Sequence, residues 1–210
     1  MSVLWGARVG LKPMQDPITD AEIGKLYRWS RDENVLRWSG STPTDLTFDE
    51  FRARLRNEHA SSFDHRQTYL ILTRAGELIG RIGCFAMESN EGELGVVIGE
   101  PSAWGKGLGR EAIQLLVKQI FETTALERIF LYTFPENVRA QKCFAACGFR
   151  SLGVARRFSP DLGEFDGIEM EITRQEVNLP QNHTEIFQKH SERSRFAAKS
   201  KSAQWRKQNE

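Results

Sequence analysis

The stretch "EPSAWGKGLGREA" at residues 100–112 concentrates unusual chemistry in a short span. Gly105, Gly107 and Gly109 alternate along it, Lys106 sits between two of them, and Arg110 follows at once. Glycine costs backbone entropy and adds no packing, so three in a row of alternating positions mark a place that something must approach closely. The segment before the loop reads as a strand. The segment after it carries Ala112, Ile113, Leu116, Val117, Ile120 and Phe121 at helical spacing, a stripe that belongs in a core. A strand, a loop with free amides and a helix N-terminus together cradle an anion. The helix end contributes about 0.5–2 kcal/mol, and Lys106 and Arg110 add formal charge. A P-loop is excluded, because Gly107 rather than Ser or Thr follows Lys106. A Rossmann fingerprint fails as well. Counted from Gly105 and Gly107, its last glycine falls on Arg110, and the preceding strand belongs to a meander. A pyrophosphate cradle fits, and beside it stands a tight turn packing a helix on a sheet, which would need one or two glycines but not the flanking cations.

The elements that must position this loop follow from periodicity. Residues 4–12 read as a first strand ended by Pro13, and one helix is predicted across 18–38 with Thr19 or Asp20 as its N-cap. A second helix begins at Thr47, with Glu50 as its capping-box partner. Segments 67–74, 77–87 and 93–100 form an antiparallel meander, with turns at Ala75-Gly76 and at Ser89 to Gly92. "RIFLYTF" at 128–134 is a continuous apolar run, as in a strand covered on both faces. "NVRAQKCFAACGF" starts a helix near Asn137 and stops it at Gly148, and two strands follow around 149–158 and 165–173.

Composition narrows the class. The chain has 210 residues, 40% hydrophobic and 27% charged, the proportions of a globular protein. Twenty-nine basic and 28 acidic residues leave a formal charge of +1, which gives no support to nucleic acid or an anionic membrane as partner. No apolar run approaches the ~20 residues of a membrane span, and the first residues lack a signal peptide's apolar centre, so a cytoplasmic location is expected. Cys84, Cys143 and Cys147 are odd in number and lack zinc-type spacing, so they read as small apolar residues of a reducing compartment, with no metal. His59, His65, His183 and His190 show no ligand spacing either.

At this point a resemblance enters. "PSAWGKGLGREA" resembles the coenzyme-A loop of the GNAT N-acetyltransferases, whose pattern is Gln/Arg-x-x-Gly-x-Gly/Ala. Gly107 and Gly109 match, and Trp104 stands at the Gln/Arg position, as is usual in the RimJ/RimL-type branch. "ENVRAQKCFAACGF" looks like that branch's Asn helix, and "GEFDGIEMEITRQE" like its last strand, with Asp166 and Met170 in place. The likeness spans residues 5–176. It implies an α/β (α+β) GNAT fold with a mixed sheet of about seven strands, splayed at the coenzyme site and flanked by about four helices. The implied activity is acetyl transfer from acetyl-CoA, as co-substrate, to a primary amine by direct attack.

The resemblance also assigns residues. Pantetheine would pair with the backbone of Val96, Val97 and Ile98. Trp104, Gly105, Lys106, Gly107, Leu108, Gly109 and Arg110 would hold the pyrophosphate, with Asn137, Ala140 and Phe144 along the coenzyme arm. Asn137 could equally be a plain N-cap. Glu93, eleven residues before Trp104, is the first candidate for general base and Glu100 the second. Phe144 stands where the family often keeps a tyrosine that protonates the leaving thiolate, which speaks against a polyamine enzyme relying on that phenol. Trp29, Trp38, Phe85 and Phe158 are candidates for the acceptor cleft, and each reads equally well as core. An α-amine, with a pKa near ~7.7–8.0 against ~10.4 for lysine, reaches its neutral form more easily, so a peptide N-terminus is the favoured acceptor. A small amine or aminoglycoside is the alternative acceptor, and a silent acyl-CoA-binding module the alternative function. The assembly is expected to be a monomer or homodimer.

Residues 1–178 are read as the acetyltransferase domain and 179–210 as a polar, basic tail, partly helical or disordered. Ile186, Phe187, Phe196 and Trp205 are its only large apolar residues apart from Leu179. Truncation after Pro180 is therefore expected to leave the melting temperature and coenzyme binding nearly unchanged. A large fall in melting temperature would show that the tail docks.

Overall fold

The computed structural model describes residues 2–60, 65–159 and 162–177, leaving aside the side chains of 58–60. The tail and its expected boundary therefore lie outside the described residues, as do His183, His190 and the side chain of His59.

Among the described residues, eight strands form one mixed sheet: β1 (Leu4–Trp5), β2 (Val9–Pro13), β3 (Gln67–Thr73), β4 (Leu78–Glu88), β5 (Glu91–Ile98), β6 (Arg128–Thr133), β7 (Arg150–Ser159) and β8 (Gly163–Thr173). Their order across the sheet is β1-β2-β3-β4-β5-β6-β8-β7. The eighth strand comes from the N-terminus. The single strand expected over 4–12 is instead a hairpin, closed by Gly6 N–H donating to the Val9 carbonyl at 2.8 Å. Pro13 does not end that strand from outside but occupies its last position, opposite Tyr69.

Among the described residues, five α-helices flank the sheet: α1 (Asp20–Trp29), α2 (Glu33–Leu36), α3 (Phe48–Ala60), α4 (Leu108–Thr123) and α5 (Val138–Ala145). The long first helix expected from periodicity is two helices. Asp32 caps a new start by accepting from Asn34 N, so the apolar spacing continues across a break that the capping side chain creates. Thr19 and Glu22 form a reciprocal capping box on α1. Thr47 and Glu50 do the same for α3, with Thr47 N–H donating to Glu50 Oε2 at 2.8 Å. Between β4 and β5 the turn is confined to Ser89 and Asn90, both with positive φ; Glu91 and Gly92 already belong to β5.

Two cores lie on opposite faces of the sheet. On one, α4 and α5 pack Ile113, Leu116, Ile120, Phe121 and Phe144 against Val9, Leu11, Ile82, Leu94 and Ile129. On the other, α1, α2 and α3 pack Ile23, Leu26, Trp29, Val35 and Leu55 against Leu70, Leu72 and Leu78. Because side chains alternate along a strand, β5 sends Leu94, Val96 and Ile98 to the first core and Val97 to the second. Glu93 shares the face of Val97.

Of the two readings open for Trp29, cleft or core, it takes the second and is 4% exposed within the second core. It closes directly over Gly99, where an added Cβ would lie 2.1 Å from Trp29 Cδ2. Gly99→Ala should thus cost about 1–3 kcal/mol by overpacking, lowering the melting temperature in a thermal scan by several degrees. Gly24→Ala is its control. No atom lies within 4 Å of the added methyl in α1, so that change should raise the melting temperature.

Candidate active site

Leaving β5, the chain makes a 3-10 turn at Pro101–Ala103 and then the glycine loop. Trp104 anchors it from inside, donating its indole N–H to the Ile98 carbonyl at 2.7 Å. Gly105 and Gly107 have φ of +72° and +76°, in the left-handed region that strains any residue with a Cβ, and Gly107 is the N-cap of α4. The residue that holds the loop from outside has no local signal in the sequence. Arg8, between β1 and β2, donates Nη1 to the Lys106 carbonyl at 2.9 Å and Nη2 to the Gly107 carbonyl at 3.3 Å. Its Nε donates to Glu111 Oε2 at 2.9 Å. In a trans peptide the N–H opposes the C=O, so turning these carbonyls toward Arg8 turns the amides of Gly107 and Leu108 the other way. Those of Leu108, Gly109 and Arg110 donate to no backbone carbonyl among the described residues and form the open first turn of α4. Burial works against the Glu111 carboxylate, but hydrogen bonds from Arg8 and Val9 outweigh it and hold the group below the usual carboxylate range.

The parallel pairing of β5 with β6 is short. It runs through Glu91↔Arg128, Gly92↔Ile129 and Glu93↔Phe130, then stops. Beyond it β5 stays with β4 as far as Ile98, and β6 stays with β8 as far as Thr133. The two strands part, as the resemblance implies. A cavity of about 620 Å³ occupies the gap and opens on both faces of the sheet. On the α4–α5 side it is lined by Gly105, Gly107, Gly109, Arg110, Asn137, Arg139, Ala140 and Phe144. On the α1–α3 side it is lined by Trp38, Thr68, Arg81, Phe85, Glu93 and Tyr132.

Glu93 stands at the last paired position before the split, with Phe85 opposite it on β4. A bulge follows Phe85, with Ala86 at φ +46°, and the Phe85 ring lies over Gly83 and Gly95, where a Cβ would come within 2.9 and 3.2 Å of it. Burial raises the Glu93 pKa above the usual carboxylate range. Arg157, 3.9 Å away on β7, opposes that shift and keeps part of the ionised form. The same guanidinium lies 3.8 Å from the centre of the Tyr132 ring. Burial also raises the Tyr132 phenol, so it stays protonated at neutral pH. The site therefore joins a carboxylate, a guanidinium and a phenol from three strands.

The other expected residues fall as follows. Val96, Val97, Ile98 and Trp104 line the cavity. Lys106, Leu108 and Glu100 do not: Leu108 packs on the first core, and Glu100 pairs with Arg28 at 2.9 Å. Asn137 caps α5, its Oδ1 accepting from Ala140 N at 3.2 Å, and is 8% exposed at the cavity wall. Trp38 and Phe85 line the acceptor side; Phe158 is 71% exposed and does not. Arg8, Arg157 and Tyr132 were not anticipated. Arg139 and Lys142, which also line the cavity, were legible as cations on the helix that Asn137 opens.

The three cysteines differ in kind. Cys84 is fully buried, which pushes its thiol up to about 12. Cys143 lines the cavity, and a hydrogen bond from the Cys147 thiol, aided by Arg110 and Arg139, brings it down to about 7; the same pairing raises Cys147. Iodoacetamide at neutral pH is accordingly expected to label Cys143 first and Cys84 only on unfolding, with the Cys143 rate climbing through pH 7. Peptide mapping of the labelled chain reads the order.

The comparisons agree with this geometry. Residues 14–150 match the acetyltransferase (GNAT) domain model. An uncharacterized N-acetyltransferase p20 from Bacillus licheniformis is 27% identical over 173 residues, covering 81% of this chain and 94% of its own. The N-acetyltransferase 9-like protein of Caenorhabditis briggsae is 24% identical over 169 residues, 74% of this chain and 83% of its own. The crystal structure of spermidine N-acetyltransferase from Vibrio cholerae in complex with CoA and spermine shares the fold, with a TM-score of 0.69 at 19% identity, over 82% of this chain and 99% of that one. With a parted β5–β6 pair, a glycine loop opening α4 and the family model across most of the described chain, the protein belongs to the GNAT acetyltransferases and is an acetyl-CoA-dependent N-acetyltransferase.

Proposed function

We propose that this chain acetylates the N-terminal α-amine of a protein or peptide in the cytoplasm, in the manner of the RimJ/RimL-type branch, with Glu93 as the proton acceptor. The observation that carries the reading is the position of Glu93 at the mouth of the split, facing the α1–α3 side, while the glycine loop opens from the other side. Coenzyme and acceptor then approach the same gap from opposite faces of the sheet. The residues fit the coenzyme. The open amides of Leu108, Gly109 and Arg110 suit its pyrophosphate, with Arg110, Arg139 and Lys142 supplying charge. The β5 edge, unpaired toward β6 from Leu94 onward, suits the pantetheine amides. The Ile98 carbonyl is taken by Trp104, so Val96 and Val97 are the better candidates there.

The amine attacks the thioester carbonyl in its neutral form and passes a proton to Glu93, directly or through water, as the C–S bond breaks. Arg157 opposes the rise that burial imposes on Glu93 and so favours its proton-accepting form. Phe144 offers the departing thiolate no proton, so that proton comes from solvent or from Tyr132 across the cavity. A single carboxylate suits an acceptor that is already partly neutral near pH 7, which favours the α-amine over lysine or a polyamine. Glu93 in the gap also favours an enzyme over a silent acyl-CoA-binding module.

Glu93→Gln is expected to keep acetyl-CoA affinity while lowering kcat/KM by ~10²-fold or more at neutral pH. Because burial raises the Glu93 pKa, the wild-type rate should fall on acidification from above the ordinary carboxylate range. The Gln variant should lack that limb, and its deficit should shrink as pH rises and more acceptor arrives neutral. A deficit equal at every pH would reassign Glu93 to orientation. On the coenzyme side, Gly107→Glu should abolish the rise in melting temperature that acetyl-CoA gives, and Arg8→Ala should reduce it.

A further inference from the structure

The described lining of the acceptor side holds more guanidinium groups than carboxylates. Among the described lining residues, Glu93 is the one carboxylate, and Arg157 already stands 3.9 Å from it. Arg66 and Arg81 line the same side. Arg81 sits on β4 opposite Val97, four residues along β5 from Glu93, or about 13 Å at the usual strand rise. Arg66 lies one residue before the Gln67↔Cys84 pair, immediately ahead of the strand β3 that flanks β4. Both arginines also engage other groups of the fold, yet a guanidinium has five donors and can hold a second carboxylate in the cavity. Trp38 and Phe85 supply the apolar surface between them. The Vibrio cholerae spermidine N-acetyltransferase shares the fold and was solved with spermine, so the same scaffold can carry the opposite acceptor charge.

We infer that the acceptor is a peptide N-terminus with an acidic side chain at its second or third residue, held by Arg81 and Arg66 while the α-amine reaches Glu93. This rests on the transferase reading above. An extended peptide advances about 3.4 Å per residue, so its second and third side chains, with their own reach, span the distance from the gap to the two guanidinium groups. A polyamine or aminoglycoside would set further cations beside Arg66, Arg81 and Arg157, an arrangement that like-charge repulsion opposes.

The test uses the full chain with acetyl-CoA and matched tetrapeptides that carry Asp or Glu, Gln, or Lys at positions two and three. Spermidine and an aminoglycoside are included. Thiol release should rank acidic above neutral above basic, with kcat/KM rising about fivefold per carboxylate, the size of one partly exposed ion pair. The ranking should compress as salt is raised, because screening shortens the reach of these charges. Arg81→Glu, and separately Arg66→Glu, should invert the order toward Lys-bearing peptides while leaving acetyl-CoA binding intact. Spermidine turned over as well as the acidic peptides, or a wild-type ranking insensitive to charge, would overturn the inference and leave the transferase reading standing. If no amine is acetylated, the transferase reading itself fails. Calorimetric binding of the same peptides to the CoA-loaded protein then decides the charge preference alone. Tighter binding of the acidic peptides supports it, and equal or weaker binding overturns it.

Discussion

Everything in this molecule depends on a parallel strand pair that stays together for three residues and then separates. What holds the closed end is a charge cluster. Arg128 donates to Glu91 at 2.8 Å, to Glu169 at 2.6 Å and to Glu171 at 2.5 Å, and Arg150 pairs with Glu171 as well. These groups come from β5, β6, β7 and β8, so the cluster ties the two halves of the sheet at the point where the ladder between them is shortest. Glu171 is 6% exposed, and its two arginines satisfy a charge that burial alone would disfavour. Beyond the cluster each strand has a full ladder with its other neighbour, so neither is drawn back into the gap. An opening through a sheet would normally strand backbone groups. Here the open β5 edge is the surface that the proposed function gives to the coenzyme arm.

The two faces of the sheet then divide the labour. The α4–α5 face is cationic and built on amides, suited to phosphate. The α1–α3 face holds the carboxylate, the phenol and the aromatic walls. The division follows from the alternation of side chains in β5, which places Leu94, Val96 and Ile98 on one side and Glu93 and Val97 on the other. A one-residue slip of β5 would exchange these sets and move the carboxylate into the first core. The Ser89–Asn90 turn and the bulge after Phe85 fix that register.

Glycine serves two purposes. At 105 and 107 it permits backbone angles that present amides outward. At 83 and 95 it clears space for the Phe85 ring, and at 99 it receives Trp29. Loop geometry on one side and packing on the other both call for the absence of a Cβ, which is why composition alone does not separate them.

The sequence by itself determined what is local. The glycine loop with its flanking cations, the capping boxes at Thr19 and Thr47, the apolar stripe of α4 and the Asn137 cap are encoded within a few residues of one another, and short-range chemistry reads them. In the sequence, Glu93 is a candidate base only through the resemblance, which implies a glutamate at that distance before the loop. The tertiary structure decided what depends on distant partners. Arg8 reaches the loop across 98 residues, and Arg157 meets Glu93 from β7. Glu100 is drawn aside by Arg28, and Trp29 is buried where Trp38 remains in the cavity. Nothing in the spacing of a lone arginine or tryptophan says which surface it will meet. That is fixed only when the sheet sets the strands side by side, and the charge and shape of the acceptor side are fixed with it.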